Sequence, residues 1–518
     1  MTKWPILMLI AAGLACLLLI VPGECPAADD EALEQLLTVF EEKGMLTPAE
    51  VARVKATLAR HREAEAKKEK ELQEKEAELV KREEELRKKE QALREEEQTV
   101  AGRAPLPSEA KPPETEQKIN ITYRDGLRIS TDKPEFSLTL GGLLQVDYRY
   151  FDFGGPDPAE DRFDIRRARL VVQGTALKYF DYKFQYEFQG ADSRNLLDAY
   201  AGVDVWKQAS FRAGQFKEPF GLERSTSVRD WIFAEPSTSF YLTPGYDVGL
   251  MAYGSIWADS INYGIGIFNG DGPDDTAGGN DDSPQVTGRI VVAPFRNMDI
   301  SLLKYLQFGG SFSYANIDRN NVSLNLKTAG LTTFFNVASS AKFNVIRDAD
   351  SASRYGAELG WAFGPLALMA EYIQLHFNDV KTSANQFNVD LQSYYVSTLW
   401  MITGERPSFR QGVFQPIKPE RNVFQGGWGA LGLALRYESS EADEGVYDVL
   451  VTAGESVRRV NAYSIALNWF LNPFARFILD YTRSNFDRPL LIYRDPLTGT
   501  AAFSDHANVV TGRLQFQF

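Results

Sequence analysis

The sequence predicts an all-β transmembrane barrel of about 16 antiparallel strands, preceded by a helical, coiled-coil-like periplasmic arm. Three observations predict it. From about Phe136 onward, short runs alternate apolar with polar or small residues, which sends the two sets to opposite faces of a strand. The polar set carries full charges, and the connections between runs alternate between tight and long. A dry protein core tolerates no such density of charge, whereas a wall with acyl chains outside and water inside does.

Composition narrows the function classes. The 518 residues include 56 Lys plus Arg and 70 Asp plus Glu, a formal net charge of −14. Nucleic-acid binding runs on clustered positive charge, so DNA and RNA are not expected partners. Cys16 and Cys25 are the only cysteines, which removes a disulfide framework, a Cys-ligated metal and a Cys nucleophile from everything downstream. His61, His376 and His506 lie far apart, and no cofactor is expected.

Residues 1–28 read as an export signal. Lys3 gives a positive start, Ile6 to Val21 form an apolar run too short for a comfortable span, and Ala27-Ala28 offer a cleavage site. Residues 29–100 read as a helical hairpin and then a coiled-coil-like helix. Thr47-Pro48-Ala49-Glu50 supplies an N-cap, a proline at the first helical position and a glutamate at the third. Leu72, Leu79, Leu86 and Leu93 recur at seven-residue steps, but the complementary seam position is charged, so a solvated helix and a self-associating bundle both remain open. Residues 101–118 are a proline-rich linker.

Residues 119–518 are the barrel. Phe180-Asp-Tyr182-Lys-Phe184-Gln-Tyr186-Glu-Phe188 alternates without a gap, and Val510-Thr-Gly512-Arg-Leu514-Gln-Phe516-Gln-Phe518 closes the chain on an aromatic. Strands are expected to start near residues 136, 163, 180, 196, 209, 247, 260, 285, 305, 353, 366, 391, 428, 458, 475 and 508. Tight connections such as Lys178-Tyr179 and Asn472-Pro473 suit periplasmic turns, and long ones such as Gly270–Pro284 suit external loops. Closing so many strands into a barrel leaves no sheet edge and encloses an aqueous channel.

Several blocks are specific in combination. They are Phe163-Asp-Ile-Arg-Arg-Ala-Arg-Leu170, Tyr182-Lys-Phe-Gln-Tyr-Glu-Phe188, Leu197-Asp-Ala-Tyr-Ala-Gly202 and Gly214-Gln-Phe-Lys-Glu-Pro-Phe-Gly-Leu-Glu223. Phe268-Asn-Gly-Asp-Gly272, Asn468-Trp-Phe-Leu-Asn-Pro473 and Gly512-Arg-Leu-Gln-Phe-Gln-Phe518 join them. With these blocks the chain resembles the phosphate-selective porin O and P family across essentially all of residues 119–518. The resemblance implies a homotrimeric channel in the outer membrane of a Gram-negative-type bacterium, in contact with its lipid, passing small anions such as phosphate.

An anion channel needs basic groups along its wall and a constriction where the anion meets several donors. If Ala168, Leu170 and Val172 face lipid, Arg167 and Arg169 face the lumen one above the other. Arg149, Lys183 and Arg212 fall on polar faces of neighbouring strands, and Lys217 leads into Glu218–Gly245. That segment is too long for a turn, carries Arg224, Arg229, Asp230 and Glu235, and is expected to fold into the lumen. These eight cations are the pore-lining candidates. Against them, residues 119–518 hold 37 Lys plus Arg and 45 Asp plus Glu, a net of −8. Asp147, Asp181, Glu187, Asp198 and Asp204 share the same faces, so each cation has an alternative role as a cross-strand pair that fixes register.

Other constellations are weaker. The loop with Asp271, Asp274, Asp275, Asp281 and Asp282 has oxygen donors for Ca²⁺ but no EF-hand spacing, which favours a solvated loop. Gly264-Ile-Gly266 and Gly270-Asp-Gly272 precede no helix, so they are not a nucleotide loop. His376 and His506 with a serine such as Ser504 could serve a barrel hydrolase, but single histidines on barrel strands or loops are usually inert, and an enzyme is not expected. The alternative reading is a general or weakly selective porin whose arm tethers the outer membrane to the cell wall or a periplasmic partner.

Overall fold

A computed structural model describes Lys88 and residues 119–518, apart from 124–125, 133–134, 155–160, 190–194, 271–283, 317–323, 338–348, 382–385, 445–453 and 495–499. The export signal, the arm apart from Lys88, the linker and the Asp271–Asp282 loop therefore lie outside the described residues.

Sixteen strands make the wall. The first eight are β1 (Ser137–Asp152), β2 (Arg162–Ala176), β3 (Phe180–Glu187), β4 (Leu196–Trp206), β5 (Ala209–Lys217), β6 (Tyr246–Ile256), β7 (Ile261–Phe268) and β8 (Gln285–Val292). The second eight are β9 (Gln307–Asn316), β10 (Ser351–Phe363), β11 (Leu366–Lys381), β12 (Gln386–Met401), β13 (Ala430–Ala442), β14 (Arg459–Phe470), β15 (Ala475–Arg494) and β16 (Ala501–Gln517). Each pairs antiparallel with its sequence neighbour, and β16 returns to β1 through Thr511↔Arg149 and Leu514↔Val146. The sheet is closed.

Period two places the side chains as alternation demands. Phe180, Phe184 and Phe188 point outward and are exposed, while Asp147, Arg149, Arg167 and Glu187 are buried on the inner face. Fourteen strand starts fall within two residues of the expected positions. The other two, β12 and β16, begin earlier than expected, because Gln386–Asp390 and Ala501–Ala507 still pair with their neighbours after the apolar outer set has faded. Strands that outrun the acyl layer keep their ladder but lose the pattern that betrays them.

One end of the barrel carries the short turns, such as Leu177–Tyr179, with Leu177 and Lys178 at φ 51° and 69°, and the two-residue link at 364–365. Two connections at that end depart from the expected brevity: 293–306 and 402–429. The second turns inward, because Phe409, Phe414 and Ile417 bury their side chains inside the barrel. The long loops leave the opposite end. One of them carries a hairpin (Leu324–Lys327 with Thr333–Val337) whose Leu326, Phe334 and Phe335 pack onto Phe220, Leu242, Ile373 and Leu375. A further hairpin, Ile119–Tyr123 with Leu127–Thr131, pairs with the start of β1.

Candidate functional site

The segment between β5 and β6, residues 218–245, crosses the lumen. Pro219, Pro236 and Pro244 prevent it from continuing as regular structure, and Gly221 turns it at φ 62°, a left-handed value that favours glycine. The segment folds instead into one short helical turn (Leu222–Ser225) and two 3₁₀ turns (Val228–Asp230 and Thr238–Leu242). Its apolar side chains Leu222, Ile232 and Phe233 join Met369, Tyr395 and Leu399 of the wall and Phe409 and Phe414 of the inserted 402–429 connection. The two insertions thus share one apolar core, and a cavity of about 30 Å³ is left among them, enough for a water.

Backbone groups that leave a sheet inside a lumen need partners, and the wall supplies them. Wall carboxylates accept from the loop's N–H groups: Glu371 from Leu222 and Glu223, Asp480 from Ala234 at 2.9 Å, and Glu438 from Thr238 at 3.2 Å. Wall donors serve its carbonyls: Asn468 to Ile232 at 3.0 Å, Arg436 to Glu235 at 3.2 Å, and Arg513 to Ala234. Ser393 lies 3.1 Å from the Thr238 hydroxyl and 2.8 Å from that of Ser239.

The Glu235 side chain is where the charges meet. Its carboxylate accepts from Arg513 at 2.7 Å, Arg149 at 3.0 Å and Arg167 at 3.4 Å, and takes a two-pronged contact from Arg166 at 2.8 and 3.0 Å. Asp147 holds Arg149 at 2.6 Å and Arg513 through both prongs at 2.7 Å. Four guanidinium groups on two carboxylates leave a surplus of two positive charges. Burial pushes the Glu235 carboxyl up, but Arg166, Arg167, Arg513 and Arg149 outweigh it and hold the group well below the usual range. Glu223 on the same loop goes the other way: burial raises it against the pull of Arg436 and Ser237.

The eight expected cations are all placed, in three kinds of setting. Arg149 and Arg167 come together on Glu235, and Arg167 also lies over the Trp231 ring, 5.2 Å from its centre. Three cations pair across the wall: Arg169 with Glu187 at 2.7 Å, Lys183 with Asp198 at 2.8 Å and Arg212 with Asp181 at 3.5 Å. Arg212 is also flanked by the rings of Tyr200 and Tyr253, at 3.8 and 4.8 Å. The last three serve the loop itself. Lys217 donates to the Arg224 carbonyl at 2.9 Å, and Arg224 donates to Thr243 and to the Phe240 carbonyl. Arg229 pairs with Asp230, and its carbonyl accepts from Gln515 at 2.9 Å. Arg167 and Arg169 do share the inner face, but they serve different carboxylates and do not form an isolated ladder.

Sequence reading missed Arg166, Arg513, Arg436 and Arg289. Arg166 is the extra residue of a β-bulge, since Gln145 faces Arg167 and Val146 already faces Ile165. Strict alternation would have sent it to lipid. Arg513 and Arg436 had a visible signal as lone cations in the polar sets of Thr511-Arg513-Gln515 and Arg436-Glu438, but their partners appear only when the barrel closes. Arg289 clamps Glu358 at 2.6 Å and donates to the Gly412 carbonyl of the inserted connection. Among the described residues no cluster of three or more His, Cys, Asp or Glu has the arrangement to hold a metal ion.

Comparison with known sequences shows the family. The sequence profile described as "Phosphate-selective porin O and P" matches residues 138–518. Porin O of Pseudomonas aeruginosa is 26% identical over 431 residues, which is 77% of this chain and 92% of that protein. Among solved structures, the outer membrane channel DcaP of Acinetobacter baumannii aligns with 12% identity and a TM-score of 0.44, covering 75% of this chain and 99% of its own. An anion-selective porin from Comamonas acidovorans aligns with 11% identity and a TM-score of 0.42, covering 74% of this chain and all of its own. With a closed wall of sixteen strands and a profile match running to its last residue, the chain belongs to the phosphate-selective porin O and P family and forms an outer-membrane porin channel.

Proposed function

We propose that this porin is a narrow, anion-preferring diffusion channel for phosphate or similar small anions. The observation that carries the reading is the positive surplus where the loop closes on the wall: Arg149, Arg166, Arg167 and Arg513 against Asp147 and Glu235. Guanidinium groups bind phosphate oxygens in pairs and stay charged at any working pH, which suits them to take over from an anion's hydration shell. Arg166, Lys183, Arg212 and Arg229 keep 29%, 24%, 21% and 37% of their side chains exposed, and these are the contacts proposed for the anion. Lys217 and Arg224, bound to loop carbonyls, hold the loop instead. The family description supports the same class of permeant.

Single-channel current in chloride with phosphate and then polyphosphate added tests the proposal. Phosphate competing with chloride for the channel supports it, and a chloride current indifferent to both overturns it.

The family also favours a homotrimer, and the leucine heptads of residues 29–100 favour a periplasmic arm that tethers the barrel to the cell wall or to a partner. Deleting residues 29–110 is expected to leave conductance intact while loosening the envelope. Loss of the channel itself would make the arm part of the pore.

A further inference from the structure

We propose that the hairpin of residues 119–131 is a membrane anchor: a two-stranded extension of the barrel wall whose outer face lies in the lipid of the inner leaflet, at the seam where the barrel closes. The seam has an odd construction. β1 and β16 pair until Gly142 exchanges backbone hydrogen bonds with Phe518, at 2.8 and 3.1 Å, and there β16 ends. β1 continues toward the short-turn end for five more residues, with its edge open. The hairpin takes over that edge, with Leu127 opposite Leu140 and Ile129 opposite Leu138.

Register decides which way its side chains face, because residues directly opposite one another on paired strands share a face. On β1, Gln145, Asp147 and Arg149 face the lumen, so Leu138 and Leu140 face outward with Leu144 and Tyr150. Through Leu138 the outer row runs to Ile129 and Ile121, and through Leu140 to Leu127 and Tyr123. Asn120, Thr122, Arg128 and Ser130 occupy the opposite face. The hairpin therefore repeats both faces of the wall, apolar outside and polar inside, and continues the lipid-facing surface without a break.

Its depth fits the same occupant. The Tyr123 ring packs on Phe474 of the β14–β15 turn, with ring centres 5.1 Å apart. Trp206, Trp257, Phe424 and Trp428 stand exposed at the same end of the barrel, as an interfacial aromatic belt does. Ile119 and Ile121 are each 67% exposed, a poor arrangement in water and a good one among acyl chains and glycerol backbones.

Spin labels on single cysteines test the inference in the full chain carrying Cys16→Ser and Cys25→Ser, reconstituted in phospholipid vesicles. Labels at Ile121→Cys and Tyr123→Cys are expected to collide several-fold more with oxygen than with a water-soluble nickel chelate. Labels at Asn120→Cys and Thr122→Cys are expected to show the reverse. Retained conductance reports that each variant has assembled, and Ile129→Cys repeats the outer-face reading from the partner strand. Nickel access at all four positions would overturn the proposal in favour of a hairpin in water. Outer-face labels shielded from both reagents until the oligomer is dissociated would overturn it in favour of a contact with a second copy.

Discussion

Two groups of inner-face charges in this barrel are built from the same residue types and behave differently. Along β2 to β5, Arg169–Glu187, Lys183–Asp198 and Arg212–Asp181 are one-to-one pairs between strands. At the junction of β1, β2 and β16, four arginines converge on Glu235 of the loop and on Asp147. The one-to-one pairs are neutral and satisfy the register of the wall. The convergent group is buried and unbalanced, and it fastens a long irregular segment across the lumen. The same chemistry thus serves alignment where charges are matched and closure where they are not, and the proposed anion preference draws its surplus from the second group.

The contrast between the two charge groups is tested most visibly at Glu235. Replacing it with Ala leaves Arg149 and Arg513 on Asp147 and takes from Arg166 and Arg167 the carboxylate they share, and removing one partner from a buried ionic group costs about 3–5 kcal/mol. The loop is expected to detach, raising single-channel conductance severalfold and opening residues 218–245 to added protease. A Glu235→Ala channel with unchanged conductance would place the closure elsewhere, with Glu371 and Asp480 as the next anchors to remove. Arg166→Glu has the next largest effect. It takes the surplus of two to zero, so the zero-current potential in a salt gradient should collapse toward that of a non-selective pore. By contrast, Lys183→Ala with Asp198→Ala should show a coupling of about 1 kcal/mol or less in a double-mutant cycle, and no reversal of selectivity.

The smallest expected effect is that of mild acid. Glu235 is held below its ordinary value, so its contribution is fully present above about pH 4.3, the unfolded reference, and is lost only as pH falls through the lower folded value. In a chain carrying Glu218→Gln and Glu223→Gln, which removes the loop's two raised carboxyls, conductance and protease resistance are therefore expected to be the same at pH 7 and at pH 4.5. Opening of the loop between those values would mean that the arginines do not control this carboxylate.

The wall was legible in the sequence because period two is a local signal: each strand advertises its own faces, and turns punctuate them. The inward path of 218–245 was legible too, from its length and its charges. What a strand cannot advertise is its partner. Arg513 lies 278 residues from Glu235, and nothing near either residue announces the contact. Arg166 was hidden by a bulge that reverses alternation for one residue. The insertion of 402–429 was hidden because Phe409, Phe414 and Ile417 read as scattered apolar residues in a polar loop and become a core only when Leu222 and Phe233 arrive from the other side. The barrel was expected to begin at 119, but the hairpin at 119–131 was missed because five-residue strands carry too short a pattern to be read as strands.

The proposed anion preference depends on the surplus positive charge at the loop junction governing which ions pass. The zero-current potential of the wild-type protein in a planar bilayer, under a potassium chloride gradient, tests it most directly. The expected sign is that of chloride moving down its gradient faster than potassium, and a potential of potassium sign would overturn the proposed anion preference.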